Sequence, residues 1–142
     1  MAARELNQAA AGPAGNRRCP GLATGVRVVW GLVFVGGAVV NLLVTLPHPE
    51  VYEGFAELAF FPFYRDLLLD VAVPNATLIT ALVVVFELTA GALVLSTGRL
   101  ARLGLLATVG WTVFVWPAMG WYTIGSPLLM IIPCWLLRNQ DK

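Results

Sequence analysis

Glu87 is the only charge within the apolar run from Ala76 to Ser96, a stretch of the length that crosses a bilayer. A carboxylate at the centre of such a helix costs about 2.5–3.5 kcal/mol on insertion scales, so it is shielded, neutralised or put to use. Two chemistries are open to it. One is a neutral acid that hydrogen-bonds helices together and does nothing else. The other is a protonatable site facing a small cavity and suited to a polar head group, a quinone carbonyl or a cationic substrate. Gly36 and Gly37 are expected at the same depth, where their lack of side chains lets backbones approach. Trp111 and Thr112 are expected there too, and supply an indole N–H and a hydroxyl as donors. Asn41 lies about one and a half turns beyond the glycine pair, where its amide can reach a ligand or a neighbouring helix. The candidate ligand-binding set is therefore Glu87, Asn41, Trp111 and Thr112.

Other reactive side chains point to little chemistry. His48 is the single histidine; standing between Pro47 and Pro49 without partner ligands, it reads as a turn or cap residue rather than a metal site. Cys19 and Cys134 are far apart and belong to no CxxC pair, so neither a thiol redox centre nor structural zinc is expected. Cys134 reads as a small packing residue within an apolar run. There is no haem histidine pair, cysteine cluster or nucleotide-binding glycine loop, so no catalytic residue is assigned and any electron transfer would require a partner.

The elements that must position Glu87 follow from hydropathy. With 58% hydrophobic residues in 142, the chain is too apolar for an ordinary soluble domain and short enough for a single membrane unit. Four spans are predicted: Val26 to Leu46, Ala76 to Ser96, Leu100 to Trp121 and Ile124 to Leu137. The fourth is short and made irregular by Pro117, Pro127 and Pro133. The fold class is thus all-α, a four-helix transmembrane bundle. Residues 1–25 are expected to form a flexible leader, 26–138 the membrane domain and 139–142 a short tail. The leader does not resemble a cleaved signal peptide, since the apolar stretch after Arg27 is long and Pro47-His48-Pro49 offers no A-x-A site.

Charge sets the orientation. Eight of the nine basic residues fall before span one, between spans two and three, or after span four, and only Arg65 lies elsewhere. The connection from His48 to Asn75 carries Glu50, Glu53, Glu57, Asp66 and Asp70. By the positive-inside rule both termini are cytoplasmic and the acidic connection is outside. No basic patch for nucleic acid is present. Within that connection Glu50, Glu53 and Glu57 share one helical face, Pro49 suits a first helical position, and Pro62 separates a second amphipathic piece from Phe63 to Val71. An amphipathic interfacial segment capping the bundle is predicted, with Phe55, Leu58 and Phe61 buried in the interface and Glu53 and Glu57 in water. Trp30, Trp116, Trp121, Tyr122 and Trp135 are read first as an aromatic belt.

Arg27, Gly31 and Gly36-Gly37 in the first span, Phe86-Glu87-Leu88-Thr89-Ala90-Gly91 with Leu95 and Gly98 in the second, and the Arg99 to Gly104 turn together resemble the DoxX and DoxX-like integral membrane proteins. The resemblance covers most of Arg27 to Trp121. It implies a four-helix bundle in the plasma membrane, in a family that includes a small subunit of a quinone-linked oxidoreductase, with Glu87 as the acidic residue of the second helix. Many members carry a lysine near the outer end of the first helix; this chain has Asn41 there, which removes the charge pair. The expected role is an accessory or redox-associated protein with a lipid-accessible pocket around Glu87 for a quinone or another amphipathic molecule. The expected partners are the bilayer, further copies of the chain or a membrane redox protein. Two other roles stay open: a small proton-coupled multidrug-type transporter, whose glutamate would lie in helix one, and a structural or assembly subunit.

Overall fold

A computed structural model describes residues 20–120 and 129–140. Among them every element is helical. α1 (Pro20–Val40) runs on into a π-helical turn, Asn41–Thr45. α2 (Val51–Leu58) and α3 (Pro62–Leu67), the latter continuing as a second π turn, Leu68–Ala72, form the connection to α4 (Ala76–Leu95). α5 (Gly98–Met119) and α6 (Ile131–Gln140) follow. Three segments, Gly21–Thr45, Ala76–Leu95 and Gly98–Met119, are long and apolar enough to cross a membrane, which makes this a membrane protein by length and composition.

The expected spans and the observed helices agree closely for α4 and α5. α1 reaches back to Pro20, ahead of the expected start at Val26, because Leu22, Ala23 and Thr24 continue the run without a breaker. The fourth expected span is observed only as α6, which extends past the predicted end to Gln140; Ile124 to Ser126 and the predicted kink at Pro127 lie outside the described residues. So do Trp121, Tyr122 and the leader up to Cys19.

α1 packs along α4, α4 along α5, α5 along α6, and α6 returns to α1. The α1–α4 contact is close because it is built on glycines. A Cβ at Gly91 would meet Val35 Cγ2 at 2.9 Å and the Gly31 carbonyl at 3.0 Å, and one at Gly31 would meet Leu95 Cγ at 2.7 Å. Gly104 does the same for α4 and α5, where an added Cβ would stand 2.6 Å from the Val94 backbone nitrogen. Small residues at helix crossings are how membrane helices gain van der Waals contact without a hydrophobic driving force. Around these crossings Trp30, Phe34, Ala90, Val94, Leu105 and Leu136 form the main buried cluster. Leu32, Val33, Leu82, Val85, Leu103 and Leu106 face outward, the surface lipid would cover.

Trp30 belongs to this core and not to a belt. It is 5% exposed, its indole N–H donates to Thr108 Oγ1 at 3.2 Å, and Thr108 is itself fully buried and donates to the Leu105 carbonyl. The earlier start of α1 is the reason: ten residues precede Trp30 in the helix rather than four. Cys134 is exposed on α6, so it is not the packing residue expected; Pro133 and Leu136 take the inward positions instead.

The turn between α4 and α5 is tight. The Ser96 N–H bonds back to the Ala92 and Leu93 carbonyls and its hydroxyl donates to Leu93 O at 2.6 Å. Gly98 then adopts φ +64°, a conformation other residues rarely take. This turn carries Arg99 and Arg102, and its end of the molecule is called the arginine end below.

At the opposite end α2 and α3 contact α5. Pro62 stands in the first turn of α3, where a missing N–H is harmless. Pro49, expected at the first helical position of α2, sits two residues further out: Glu50 is the N-cap and the chain enters α2 through a turn in which Val51 N–H bonds His48 O at 3.2 Å. Helix α5 holds this cap by the Phe60 N–H, which donates to the Pro117 carbonyl at 3.2 Å, an acceptor in the last turn of its helix. Phe60 also packs edge-on against Trp116, and Tyr64 against Phe114. Gly120, at φ +51°, lies so close to the Leu58 carbonyl that no Cβ would fit. Glu53 and Glu57 are exposed as expected, and Phe55 is half-buried against Tyr52. Leu58 and Phe61, expected to be covered, are 37% and 57% exposed within the chain itself; the inward positions of α2 are Tyr52 and Ala56.

Candidate functional site

Glu87 faces α1. Its Oε2 accepts a hydrogen bond from Asn41 Nδ2 at 2.8 Å, and the residue as a whole is 9% exposed. A Cβ at Gly37 would stand 3.0 Å from Oε1 and 3.3 Å from the carboxyl carbon, so the carboxyl lies over the bare backbone of that glycine. Gly36, its neighbour, has open space where a Cβ would be. Only one residue of the glycine pair makes the approach the sequence suggested for both.

Asn41 opens the π turn, whose mark is the Leu46 N–H bonding back to Asn41 O at 2.8 Å. Single π turns recur at functional sites because the extra residue rotates side chains out of the α register. Here the Asn41 side chain also accepts from the Thr45 hydroxyl at 3.0 Å. The result is a chain of polar groups in which Thr45 donates to Asn41 and Asn41 donates to Glu87. Beyond it, nearer the cap, the Tyr52 and Thr80 hydroxyls lie 3.0 Å apart, with Thr80 only 1% exposed. Thr80 is seven residues from Glu87, hence on the same face of α4.

The polar groups thus run from Glu87 toward the cap. In the other direction the α1–α4 contact consists of Val35, Gly31, Gly91 and Leu95, with Ala90 and Val94 beside them in the core. This asymmetry decides what the site can do. On the capped side the Glu87 carboxyl is followed by polar side chains, and on the arginine side by the close-packed Gly31–Gly91 crossing.

Of the four candidate residues the structure joins two. Asn41 is the hydrogen-bond partner of Glu87. Thr112 turns its hydroxyl back to the Thr108 carbonyl at 2.9 Å, the local bond that threonines in helices commonly make. Trp111 stacks on Phe86, ring centroids 4.7 Å apart, and approaches Phe114. It therefore lies at the depth of Glu87 without donating to it; Asn41 is the only hydrogen-bond partner of Glu87 among the described residues. Thr45, Tyr52 and Thr80 were not singled out by sequence. The signal for Thr45 was its i, i+4 spacing from Asn41.

His48 sits at the exposed margin of the cap, with Nδ1 3.0 Å from Glu50 Oε1. Bonds from the Glu50 backbone N–H and from His48 hold the Glu50 carboxyl below its ordinary range. No group of three metal-binding side chains occurs among the described residues. Comparison with known protein families, characterised proteins and solved structures finds no match for this chain.

Proposed function

We propose that this chain is a DoxX-like integral protein of the plasma membrane, a four-helix bundle that binds a lipophilic small molecule at Glu87 and serves as an accessory or redox-associated subunit. The observation that carries the reading is the half-satisfied carboxyl. Oε2 is taken by Asn41, whereas Oε1 has no hydrogen-bond partner among the described residues and Glu87 is not fully enclosed. A carboxyl that served only to tie helices together would be expected to use both oxygens, since an unmet one in hydrocarbon is costly.

The ligand class follows from lipid access and from donor chemistry. A carbonyl-bearing amphipathic molecule, a quinone being the example, can partition into the bilayer and accept from a protonated Oε1. Electron transfer to such a ligand is assigned to a redox partner, since the sequence carries no haem histidine pair, cysteine cluster or nucleotide-binding glycine loop. The rival role of a proton-coupled transporter calls for polar access from both sides, and the close packing at the Gly31–Gly91 crossing weighs against it.

In this reading the arginine end is cytoplasmic and the α2–α3 cap lies at the outer interface, as the distribution of arginines and acids requires. α6 as described covers about 15 Å, half the hydrocarbon thickness.

The test is a titration of detergent-solubilised protein with duroquinone, followed by quenching of tryptophan fluorescence. Saturable quenching is expected in the native chain and loss of it in Glu87→Leu. Equal quenching in both would refute a site at Glu87.

A further inference from the structure

Thr45 is 8% exposed, and its hydroxyl donates to Asn41 Oδ1, on the side of the amide away from Glu87. An amide can present either its oxygen or its nitrogen to a carboxyl, and the two choices call for opposite chemistry from the acid. With the Asn41 oxygen held by Thr45, the nitrogen faces Glu87. Oε2 is then committed to accepting. A proton on Oε2 would set O–H against N–H, so the proton of the neutral acid belongs on Oε1, the oxygen that lies over Gly37 and lacks a partner.

We infer that Thr45 is the positioning residue of the Glu87 site: by fixing the Asn41 amide it leaves Oε1 as the working oxygen and makes the site a donor to a ligand carbonyl. This rests on the small-molecule reading above and narrows it. The Asn41 nitrogen has a second N–H with no hydrogen-bond partner among the described residues. Together with Oε1–H it gives two donors for the two lone pairs of one carbonyl oxygen. A protonated amine would instead bring its own N–H groups against that second N–H. The arrangement therefore favours an uncharged carbonyl compound over a cation. Gly37 belongs to the same device, since a side chain there would displace Oε1.

Infrared difference spectroscopy tests the inference directly. At acid pH, where the carboxyl carries its proton, subtracting the Glu87→Gln spectrum from that of the native chain isolates the Glu87 C=O stretch. Thr45→Val should shift that band, because the freed amide can turn, and should weaken duroquinone binding by about tenfold, the worth of one good hydrogen bond. Thr45→Ser keeps the hydroxyl and should restore both. Thr45→Ala serves as a second variant if valine is poorly tolerated in the π turn, and thermal midpoints establish that each variant is folded. An unmoved band in folded Thr45→Val and Thr45→Ala would overturn the inference. A band that shifts with valine and returns with serine while duroquinone fails to bind the native chain would leave the positioning role intact and sink the carbonyl-ligand reading instead.

Discussion

At the residue scale, the energetics of the Asn41–Glu87 pair can be separated from its use. Interhelical hydrogen bonds in membranes average about 0.6 kcal/mol, so the bond itself adds little to stability. Leaving a buried carboxyl unpaired is another matter, at about 1–3 kcal/mol. Asn41→Leu should therefore destabilise the protein more than the bond is worth. Asn41→Leu with Glu87→Leu should recover most of the loss, because both polar groups are then gone. Thermal denaturation of the two single variants and the double variant measures this; a double variant as unstable as the sum of the singles would mean that the pair is not coupled. Glu87→Gln should fold almost as the native chain does, since Gln can accept from Asn41 with its oxygen and donate with its nitrogen. It should also keep carbonyl-ligand binding while losing any proton coupling. If Glu87→Gln is folded but no longer binds such a ligand, the titrating proton itself is required.

At the element scale, the cap is fixed by three kinds of contact: the Tyr52–Thr80 hydrogen bond, the Phe60–Pro117 backbone bond and the close approach at Gly120. The last tolerates least. Gly120→Ala combines a positive φ with a collision against the Leu58 carbonyl, and should cost at least about 2 kcal/mol or displace α2. Spin labels along Val51 to Phe61 would report that displacement as greater mobility, and an unchanged profile would show that α2 is not held by the end of α5. Much of this layer was legible in sequence. Proline and acidic residues marked two short helices between Pro49 and Val71, and glycines marked where α1 and α4 meet. The rotation of each helix was not legible. Alternating polar and apolar residues reveal rotation in a soluble helix, but α4 is apolar on all sides, so nothing in its pattern says which face Glu87 shares with Asn41. The π turns were equally hidden, since the extra residue leaves no mark in composition. Trp30 was misplaced for a related reason: depth was counted from Val26, and the helix includes Pro20.

At the scale of the whole molecule, charge and polarity are distributed along the same axis. Among the described residues every arginine but Arg65 lies toward one end, acids cover the cap at the other, and the polar groups from Glu87 to Tyr52 extend toward the cap. Single cysteines in place of Glu53 and Asp66 should react with an impermeant maleimide applied outside intact cells, while cysteines at Arg99 and Arg102 should not. Labelling of both sets from one side would overturn the assigned orientation. The amount of the site readable in advance also belongs to this scale. Glu87 and Asn41 could be found because a lone charge and an amide in hydrocarbon are costly and rarely incidental. Trp111 and Thr112 were expected beside Glu87, yet one packs on Phe86 and the other bonds its own helix. Depth is a property of sequence position, whereas partnership depends on how helices turn toward one another.

The most direct measurement of the central claim is the content of the purified protein itself. Native chain and Glu87→Leu, prepared in parallel from the same membranes and matched for thermal midpoint, would be extracted with organic solvent and compared by mass spectrometry. The account predicts a carbonyl-bearing lipophilic compound, near one per chain, in the native extract and strongly depleted in the variant. Extracts that match in every retained compound would contradict it and return Glu87 to the role of a polar contact between helices.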